Sequence, residues 1–534
     1  MERVTTEDKL FHFRPVFFTG AFLSVGIWFY YLHIVYGVSV WWCFLLLFTL
    51  APMFFNPSKK RVREICVASL IMVLAFFTGF FSFMLTHHLY TKAEIYNAPC
   101  TVYGKVVEIS EDDDKFRVVL DKLTIDGKAQ KGRLIAYLST PYAGDFTLSH
   151  TLGLTGEVGT IAKGGLQDAL SYMREDVRYH IYTDSYTVGG RSFDMFLWAR
   201  VRVHNVLQRG MSKESASVTM AILTGDTTGI ETGLLQNIRY GGIAHIFAVS
   251  GLHVGALYAF CLALFSKTRL KRAPKCVRFF TVATLLGLYG GLCGFSPSIT
   301  RAVVMCLSFY LCRLWLYGSD TLERVGLAGV LVLLLSPTAL FEAGFGLSFS
   351  ACLGIVLLSR PLNTLCNAVA NVLVPPRPDA DDHPRGIGRR VFDSCASLFC
   401  VSLSAQIATA PLLLHTFGYL SGWALVFNLA FVPLVSLAFS IILALALLAC
   451  ILPLSLSAYI LYAPSVVWSA LLLVFHACDL SRFALSGIRP SRLAMYFYGF
   501  AWSFLTDKWN VGKRMRILLF GLLFFCFVFS CFFL

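Results

Sequence analysis

The sequence has little charge. Only 14% of its 534 residues are Asp, Glu, Lys or Arg, whereas 57% are apolar. Six stretches contain no charged residue at all, and they cover 15–58, 65–91, 240–266, 279–300, 394–478 and 517–534. A helix of about 20 apolar residues crosses a bilayer, and a water-soluble domain cannot bury this much apolar surface. The composition excludes a soluble enzyme and predicts a polytopic α-helical membrane protein of about 10–13 spans.

Motifs for metal and nucleotide chemistry are also missing. The sixteen cysteines form no CxxC pair and no zinc spacing, and nearly all lie in apolar stretches. The P-loop GxxxxGK[ST] does not occur, nor does an HxHxDH metal cluster. The sequence therefore predicts no nucleotide-driven motor of the P-loop type, and a partner or a gradient would supply any work done on a solute. We expect no metal, no cofactor and no enzymatic activity.

The net charge of +14 has two explanations, binding of nucleic acid or the orientation of membrane spans. Short basic clusters lie at 59–63 and 267–278, between apolar stretches, which favours the positive-inside rule. This rule places the N-terminus in the cytoplasm, with two spans between 15 and 55. A third span at 66–86 then leads outward, so the region that follows is predicted to be extracytoplasmic.

Residues 98–190 differ from the rest because they alternate polar and apolar side chains with period two, which is typical of strands. Five strands are predicted at 101–109, 116–125, 133–139, 151–158 and 179–188, with a helical connection before the last. This pattern predicts an inserted all-β domain of OB type. Acidic residues outnumber basic ones there by thirteen to ten, so any contact with a nucleic-acid strand requires a local patch of basic residues. The candidate contacts for DNA are Tyr103, Arg117 and Tyr137, although aromatic residues of a barrel also serve its core and surface.

The other predicted segments are helical. The N-terminal spans occupy 1–97, amphipathic helices at the membrane surface occupy 191–240, a transmembrane channel domain occupies 241–480, and 481–534 contains the last span. Within the channel domain we expect spans near 279–298, 300–318, 325–341 and 343–359, followed by a polar loop at 360–392.

Polar side chains recur inside these apolar segments, where they are costly unless they pair or line a cavity. The candidates for a polar path are Asp226, His245, Ser250, His253, Arg301 and Gln406. Three alternatives stand beside this path: packing between helices, a hydrolase that uses Ser250 and His253, and a metal site at the two histidines. The hydrolase lacks a GxSxG motif, and an eight-residue spacing on a helix turns the histidines about 80° apart.

Several motifs together resemble the ComEC family, the DNA-uptake channel of natural competence. They are LTGD (223–226), GGIAHIFAVSGLHVGAL (241–257), GFSPSITRAVVM (294–305), SPTALFEAGFGLSFSA (336–351), and SAQIATAPLLLHTFG with GWALVFNLAFVPLV (404–435). Their order is similar to that of the family's competence domain, and the OB-type insertion is similar to its extracytoplasmic domain. Gly346 stands where the family usually has glutamine.

The resemblance implies a channel of the bacterial inner membrane that carries single-stranded DNA inward. The implied partners are lipid, a DNA receptor and pseudopilus outside, and strand-capturing or motor proteins in the cytoplasm. Many members end in a metallo-β-lactamase-like domain, whereas this sequence ends in an apolar stretch, so we expect a separate nuclease. A transporter of another anionic polymer is the remaining alternative.

Overall fold

A computed structural model describes most of the chain. The described residues are 14–42, 60–92, 99–112, 115–138, 146–161, 166–247, 250–268, 272–315, 320–373, 387–477, 480–487, 489–504 and 512–533. Helices make up most of this part, and strands are concentrated between 99 and 191. The chain divides into two compact units, each described separately below.

The unit that contains the seven-stranded sheet covers 18–199 and 329–342. Its elements are α1 (Pro15–Tyr36), α2 (Lys60–Thr91), β1 (Pro99–Asp112), β2 (Lys115–Ile125), β3 (Lys128–Ala129), β4 (Arg133–Leu138), β5 (His150–Thr160), α3 (Leu166–Arg174), β6 (Val177–Tyr182) and β7 (Tyr186–Arg191), together with the start of α4 (Met195–Gly210).

The other unit is helical. It continues α4 and contains α5 (Lys213–Thr224), α6 (Thr232–Tyr240), α7 (Ala244–Phe247), α8 (Gly251–Lys267), α9 (Lys275–Leu292), α10 (Pro297–Trp315), most of α11 (Thr321–Leu335), α12 (Ala343–Leu373), α13 (Ile387–Phe417), β8 (Tyr419–Ser421), α14 (Ala424–Ile451), α15 (Leu454–Ala477), β9 (Ala484–Ser486), α16 (Arg492–Ser503) and α17 (Lys513–Phe533).

The strands close into a barrel of OB type. β1 pairs with β2 and with β5, β2 pairs with β4, and β6 lies between β4 and β5. The β4–β6 pair is parallel, and the other pairs around the ring are antiparallel. Alternate side chains fill the interior, with Val102, Leu120, Leu134 and Ile181 among those fully buried. The prediction of an all-β domain of OB type is confirmed.

The predicted fifth strand, 179–188, is wrong in one respect because it divides into β6 and β7. Thr183 ends β6, since its hydroxyl donates to Thr155 O at 2.7 Å and accepts from Ser185 N at 3.2 Å. Such a side-chain turn interrupts the ladder. The predicted helix before this strand is present as α3.

Five helices of the described part are long and apolar enough to cross a membrane. They are Pro15–Tyr36, Val67–Thr91, Pro297–Trp315, Ala343–Ala368 and Phe392–Phe417. A sixth span forms if Ala424–Ser436 and Ala438–Ile451, which are bent by 40°, count as one. The predicted polytopic helical fold is confirmed, whereas the total of 10–13 spans stays a prediction. The second predicted span lies largely outside the described residues.

Several predicted helix boundaries differ from the structure; for example, the span expected at 279–298 ends at Leu292. The span expected at 325–341 ends at Leu335, because Pro337 starts a separate 3-10 turn, Pro337–Phe341. The loop expected at 360–392 is shorter, since α12 continues through Pro361 to Leu373 and α13 begins at Ile387. Charge and proline suggested a loop, but both helices extend beyond their apolar segments.

The helices α12 and α13 pack at close range. Gly354 of α12 faces α13, where an added Cβ would lie only 2.7 Å from Ser404 O. Small residues at such positions let two helix backbones approach, which is a common contact between membrane helices. This contact fixes α13, and with it Gln406, against α12.

Candidate functional site

The N-terminus of α8 holds two of the candidate residues in one capping box. Ser250 is the N-cap residue, and its hydroxyl accepts from Leu252 N at 3.3 Å. Nδ1 of His253 accepts from Ser250 N at 3.1 Å and lies 3.4 Å from Ser250 Oγ. The spacing of three residues is that of a capping box, in which each side chain satisfies a backbone N–H that the helix leaves open.

His253 is fully buried, and its other ring nitrogen points away from the cap. Among the described residues, Nε2 has no hydrogen-bond partner. The ring packs on Phe439 of α14 at a centroid distance of 4.7 Å, and Phe439 in turn contacts Tyr289 of α9 at 5.7 Å. Because Nδ1 accepts a backbone N–H, a neutral ring carries its proton on Nε2, so a buried donor lies among aromatic rings.

This geometry bears on the alternative of a Ser–His hydrolase. A catalytic histidine takes the serine proton with a free ring nitrogen, and a carboxylate orients the ring from the other side. Here Nδ1 already accepts the N–H of Ser250, and Nε2 has no hydrogen-bond partner, a carboxylate included, among the described residues. The arrangement is that of a helix cap. It offers no support for the hydrolase alternative.

Arg301 lies on α10, which packs against the start of α8. Gly251 of α8 faces Ala302 of α10, where an added Cβ would lie 3.6 Å from the alanine Cβ. Arg301 is 6% exposed, and its guanidinium lies against the backbone of Gly344 in the first turn of α12. The N-terminus of α12, which carries partial positive charge, therefore lies next to a buried cation, an environment that favours an anion.

Gln406 lies on α13, where it is half-buried. Its Nε2 atom has no hydrogen-bond partner within the described part of the chain, and the same holds for Oδ1 of Asn428 on α14. The amide nitrogen of Asn428 donates to Ser402 Oγ at 3.2 Å, which joins α13 to α14. The facing sides of these helices thus carry polar atoms that the described protein does not satisfy.

Asp226 occupies a turn after α5. Its Oδ1 accepts from Thr228 N at 3.1 Å and from Thr228 Oγ1 at 2.6 Å, which closes a local turn. The same motif contacts the loop after α9, because Cys293 Sγ donates to Leu223 O at 3.5 Å. Asp226 shares no hydrogen bond or ion pair with Ser250 or His253 in the described residues, so its place on the path stays a prediction.

His245 lies on the short helix α7, and its side chain is exposed. The two residues between α7 and Ser250 lie outside the described residues. A metal site needs at least three suitable side chains close together, and two histidines alone do not provide them. The described residues contain no group of three His, Cys, Asp or Glu side chains that suits a metal ion, so the metal alternative finds no support there.

The helices before this site differ in part from the prediction of amphipathic surface helices. All residues from Ser215 to Thr224 of α5 are buried, whereas a helix at a membrane surface exposes one side. In α4, by contrast, Val203, Val206 and Leu207 are buried while Val201 is exposed. α5 is thus a core helix of its unit, and α4 has two distinct sides.

On the barrel, two of the three candidate contacts for DNA lie together. Arg117 of β2 pairs with Tyr137 of β4, and Tyr137 pairs with Tyr182 of β6, which forms a row across three neighbouring strands. The rings of Tyr137 and Tyr182 stack with centroids 4.9 Å apart and an angle of 14°. Tyr182 is 60% exposed. Residue type alone did not distinguish Tyr182 from the other barrel aromatics, and the strand pairing that does so is not visible in the sequence.

Tyr103 does not belong to this row. It pairs with Thr124, which lies seven residues from Arg117 along β2, a distance of about 20 Å in an extended strand. Tyr103 instead covers Gly153 of β5, where an added Cβ would meet its ring at 2.7 Å. Tyr103 therefore lies apart from the other two candidates, and the DNA contacts of all three stay predictions.

The charge around the row is mixed. Arg117 forms ion pairs with Glu108 at 3.0 Å and Glu175 at 3.5 Å. His180, beside Tyr182, is half-buried, and burial lowers its pKa, so the imidazole is neutral at neutral pH. The row therefore offers stacking surfaces and one partly compensated cation.

The fold and the polar groups define the class: a multi-pass helical membrane protein with an inserted OB-type barrel. A family described as Competence protein has a sequence profile that matches residues 222–510, more than half of the chain. The protein belongs to this family, and the match includes every candidate of the helical unit.

A relative with a shorter match is ComE operon protein 3 of Bacillus subtilis (strain 168). It is 28% identical over 220 residues, which are 41% of this chain and 25% of that protein. The chain thus matches about a quarter of the length of this relative. No solved structure matches significantly.

Proposed function

We propose that the protein acts in competence DNA uptake as an inner-membrane channel that carries single-stranded DNA inward. The observation that supports this most is the polar N-terminus of α8 within an apolar helical unit, where His253 Nε2 is buried without a partner among the described residues. A buried polar atom without a partner costs about 1–3 kcal/mol. Water or a polar solute in a passage would remove this cost.

The charge beside α8 fits an anionic solute. The guanidinium of Arg301 lies against the N-terminus of α12, and α10, which carries it, also contacts the start of α8 through Ala302. Phosphate oxygens accept from such groups. The partly unsatisfied amides of Gln406 and Asn428 extend the polar surface to α13 and α14. Asp226 and His245 complete the proposed path on the grounds of sequence.

The barrel supplies the first contact in this proposal. Stacked tyrosines bind unpaired bases without regard to sequence, and Tyr137 with Tyr182 forms such a surface beside Arg117. The barrel would face outward, where a DNA receptor and pseudopilus deliver DNA. The N-terminus, strand-capturing or motor proteins, and the source of direction would lie in the cytoplasm, and a separate nuclease would remove one strand.

The test is uptake of labelled DNA in a deletion strain that carries Arg301→Ala. We expect entry to fall strongly while the variant reaches the membrane at the normal level. Arg313→Ala is the matched control, because Arg313 is an exposed arginine further along the same helix. Normal entry with Arg301→Ala would contradict the proposed path, and normal entry in the deletion strain would favour another anionic polymer as the solute.

A further inference from the structure

A cavity in the helical unit lies apart from the site described above. It has a volume of about 150 Å³ and lies between α4 and the turn from α14 to α15. Its polar lining includes Arg202, Asn205 and Arg209 of α4 and Ser457 of α15. A cavity that holds one water needs a volume of about 10–15 Å³, so this cavity can hold a group of several heavy atoms.

The cavity is built to carry positive charge. Arg202, Asn205 and Arg209 follow one another at intervals of three and four residues, which places them on one side of α4. The lining contains no acidic residue, and α4, α14 and α15 contain none either. Two guanidinium groups without a carboxylate among the lining residues suit an anionic ligand.

Two of the polar lining residues, Arg202 and Ser457, are held in place by hydrogen bonds. Arg202 donates through Nε and Nη2 to Cys450 O, at 3.3 and 3.1 Å, in the last turn of α14. Ser457 Oγ donates to Ala449 O of the same turn at 2.9 Å. A guanidinium has five N–H groups, so three of Arg202 are left after these contacts. The side chain of Arg209 makes no hydrogen bond or ion pair within the described part of the chain.

The surroundings of the cavity are apolar and exposed. Ile451 is 82% exposed and Tyr459 81%, and they lie close in sequence to the cavity residues of the α14–α15 turn. Leu456 and Val201, at 47% and 41%, are also exposed. Arginine together with tyrosine and aliphatic side chains at the end of an apolar helix is typical of the boundary between hydrocarbon and headgroups. A DNA strand here would leave the aliphatic side chains in water.

We propose that this cavity binds the phosphate of an anionic phospholipid headgroup, with Arg202, Asn205 and Arg209 as donors. The acyl chains of the lipid would lie along the exposed side chains at Ile451 and Tyr459. A lipid held at this place ties α4 to the α14–α15 turn. This site is independent of the proposed DNA path.

The test uses the full chain in nanodiscs that contain phosphatidylglycerol and phosphatidylcholine. Mass spectrometry of the lipid that co-purifies gives the enrichment of phosphatidylglycerol. We expect enrichment in the unsubstituted protein, a fall of about fivefold with Arg209→Gln, and a further fall of about fivefold when Arg202→Gln is added. Arg239→Gln, at an exposed arginine of α6, should leave the enrichment unchanged.

Two competitors separate the possible ligands. Millimolar glycerol phosphate should displace little phosphatidylglycerol, because it lacks acyl chains; full displacement would show a site for free phosphate and overturn the proposal. Displacement by a short single-stranded oligonucleotide would assign the cavity to DNA and overturn it as well. Equal enrichment in the unsubstituted protein and in Arg209→Gln would also overturn it, and this variant preserves the contact between Arg202 and Cys450 that supports the fold.

Discussion

Replacement of His253 by leucine tests whether the N-terminus of α8 is wet or dry. Leucine has a similar size but no polar atom, so it removes both the acceptor for Ser250 N and the buried Nε2 donor. These two losses act in opposite directions on stability. The sign of the net change therefore reports the environment of the ring.

The magnitudes follow from the contacts. Loss of one hydrogen bond to the cap destabilises the fold by about 1 kcal/mol. In a dry site, removal of a buried donor without a partner stabilises the fold by about 1–3 kcal/mol. Together with the lost cap bond, the free energy of unfolding of the variant would then rise by up to about 2 kcal/mol. In a wet passage Nε2 of His253 already donates to water, so its removal does not stabilise the fold. The proposed function therefore predicts a variant that is less stable by about 1 kcal/mol and fails in DNA entry.

The assay combines thermal unfolding of the purified variant in nanodiscs with transformation frequency in a deletion strain. His253→Asn is the matched control, because a short amide keeps an acceptor near the cap. We expect this control to unfold close to the unsubstituted protein. A leucine variant that unfolds at a higher temperature and still takes up DNA normally would refute the passage, since His253 would then be a dry cap residue only.

Three further predictions concern other parts of the molecule. Tyr137→Ala should weaken binding of single-stranded DNA by the full chain by about 1–3 kcal/mol, as measured by fluorescence anisotropy, whereas Tyr103→Ala should have little effect; equal losses would contradict the row across the strands. Gly354→Leu should lower the unfolding temperature, because overpacking against α13 destabilises the fold by about 1–3 kcal/mol or more. Gly346→Ala should be tolerated, because its added Cβ meets only ordinary van der Waals contacts. Asp194→Asn should flatten the loss of stability in acid, and an unchanged acid profile would show that this carboxylate is not involved.

The sign of the acid effect follows from the contacts of Asp194. Its Oδ1 accepts from Leu197 N and Phe196 N at the start of α4, and its Oδ2 accepts from Lys105 Nζ at 3.2 Å. Chiefly the bond from Leu197 N lowers the pKa of this carboxyl. A lowered pKa adds stability above the pKa of the unfolded chain, about 4, and this stability is lost as the pH falls through the folded value. Asparagine keeps the N-cap acceptor without the titration.

The fold was predictable where a local pattern decides it. Period-two alternation located the barrel strands to within a few residues, and uncharged stretches located the long helices. The division of the last predicted strand was not predictable, because it depends on the contact of Thr183 with Thr155 from another strand. The continuation of α12 past Pro361 was missed for a similar reason, since charge and proline in the sequence favoured a loop.

The site was predictable in its residues but not in its grouping. Ser250 and His253 stood out as polar residues in an apolar segment, and their spacing of three residues permits a capping box. The contact of His253 with Phe439 joins residues far apart in the chain, so no local pattern reveals it. Tyr103 was grouped with Tyr137 by residue type alone, whereas the strand register separates them.

The two parts of the proposed function, DNA binding by the barrel and DNA passage through the helical unit, can be tested separately. The family match begins at residue 222, so it covers the α8 site but not the barrel. If Tyr137→Ala weakens binding of single-stranded DNA but cells that carry it transform normally, DNA binding by the barrel is not required for uptake. The proposed passage at His253 would be unaffected by this result. If His253→Leu leaves binding of single-stranded DNA normal but cells that carry it do not transform, DNA binding and DNA entry depend on different residues. Both results in one series of variants would assign conduction to the helical unit alone.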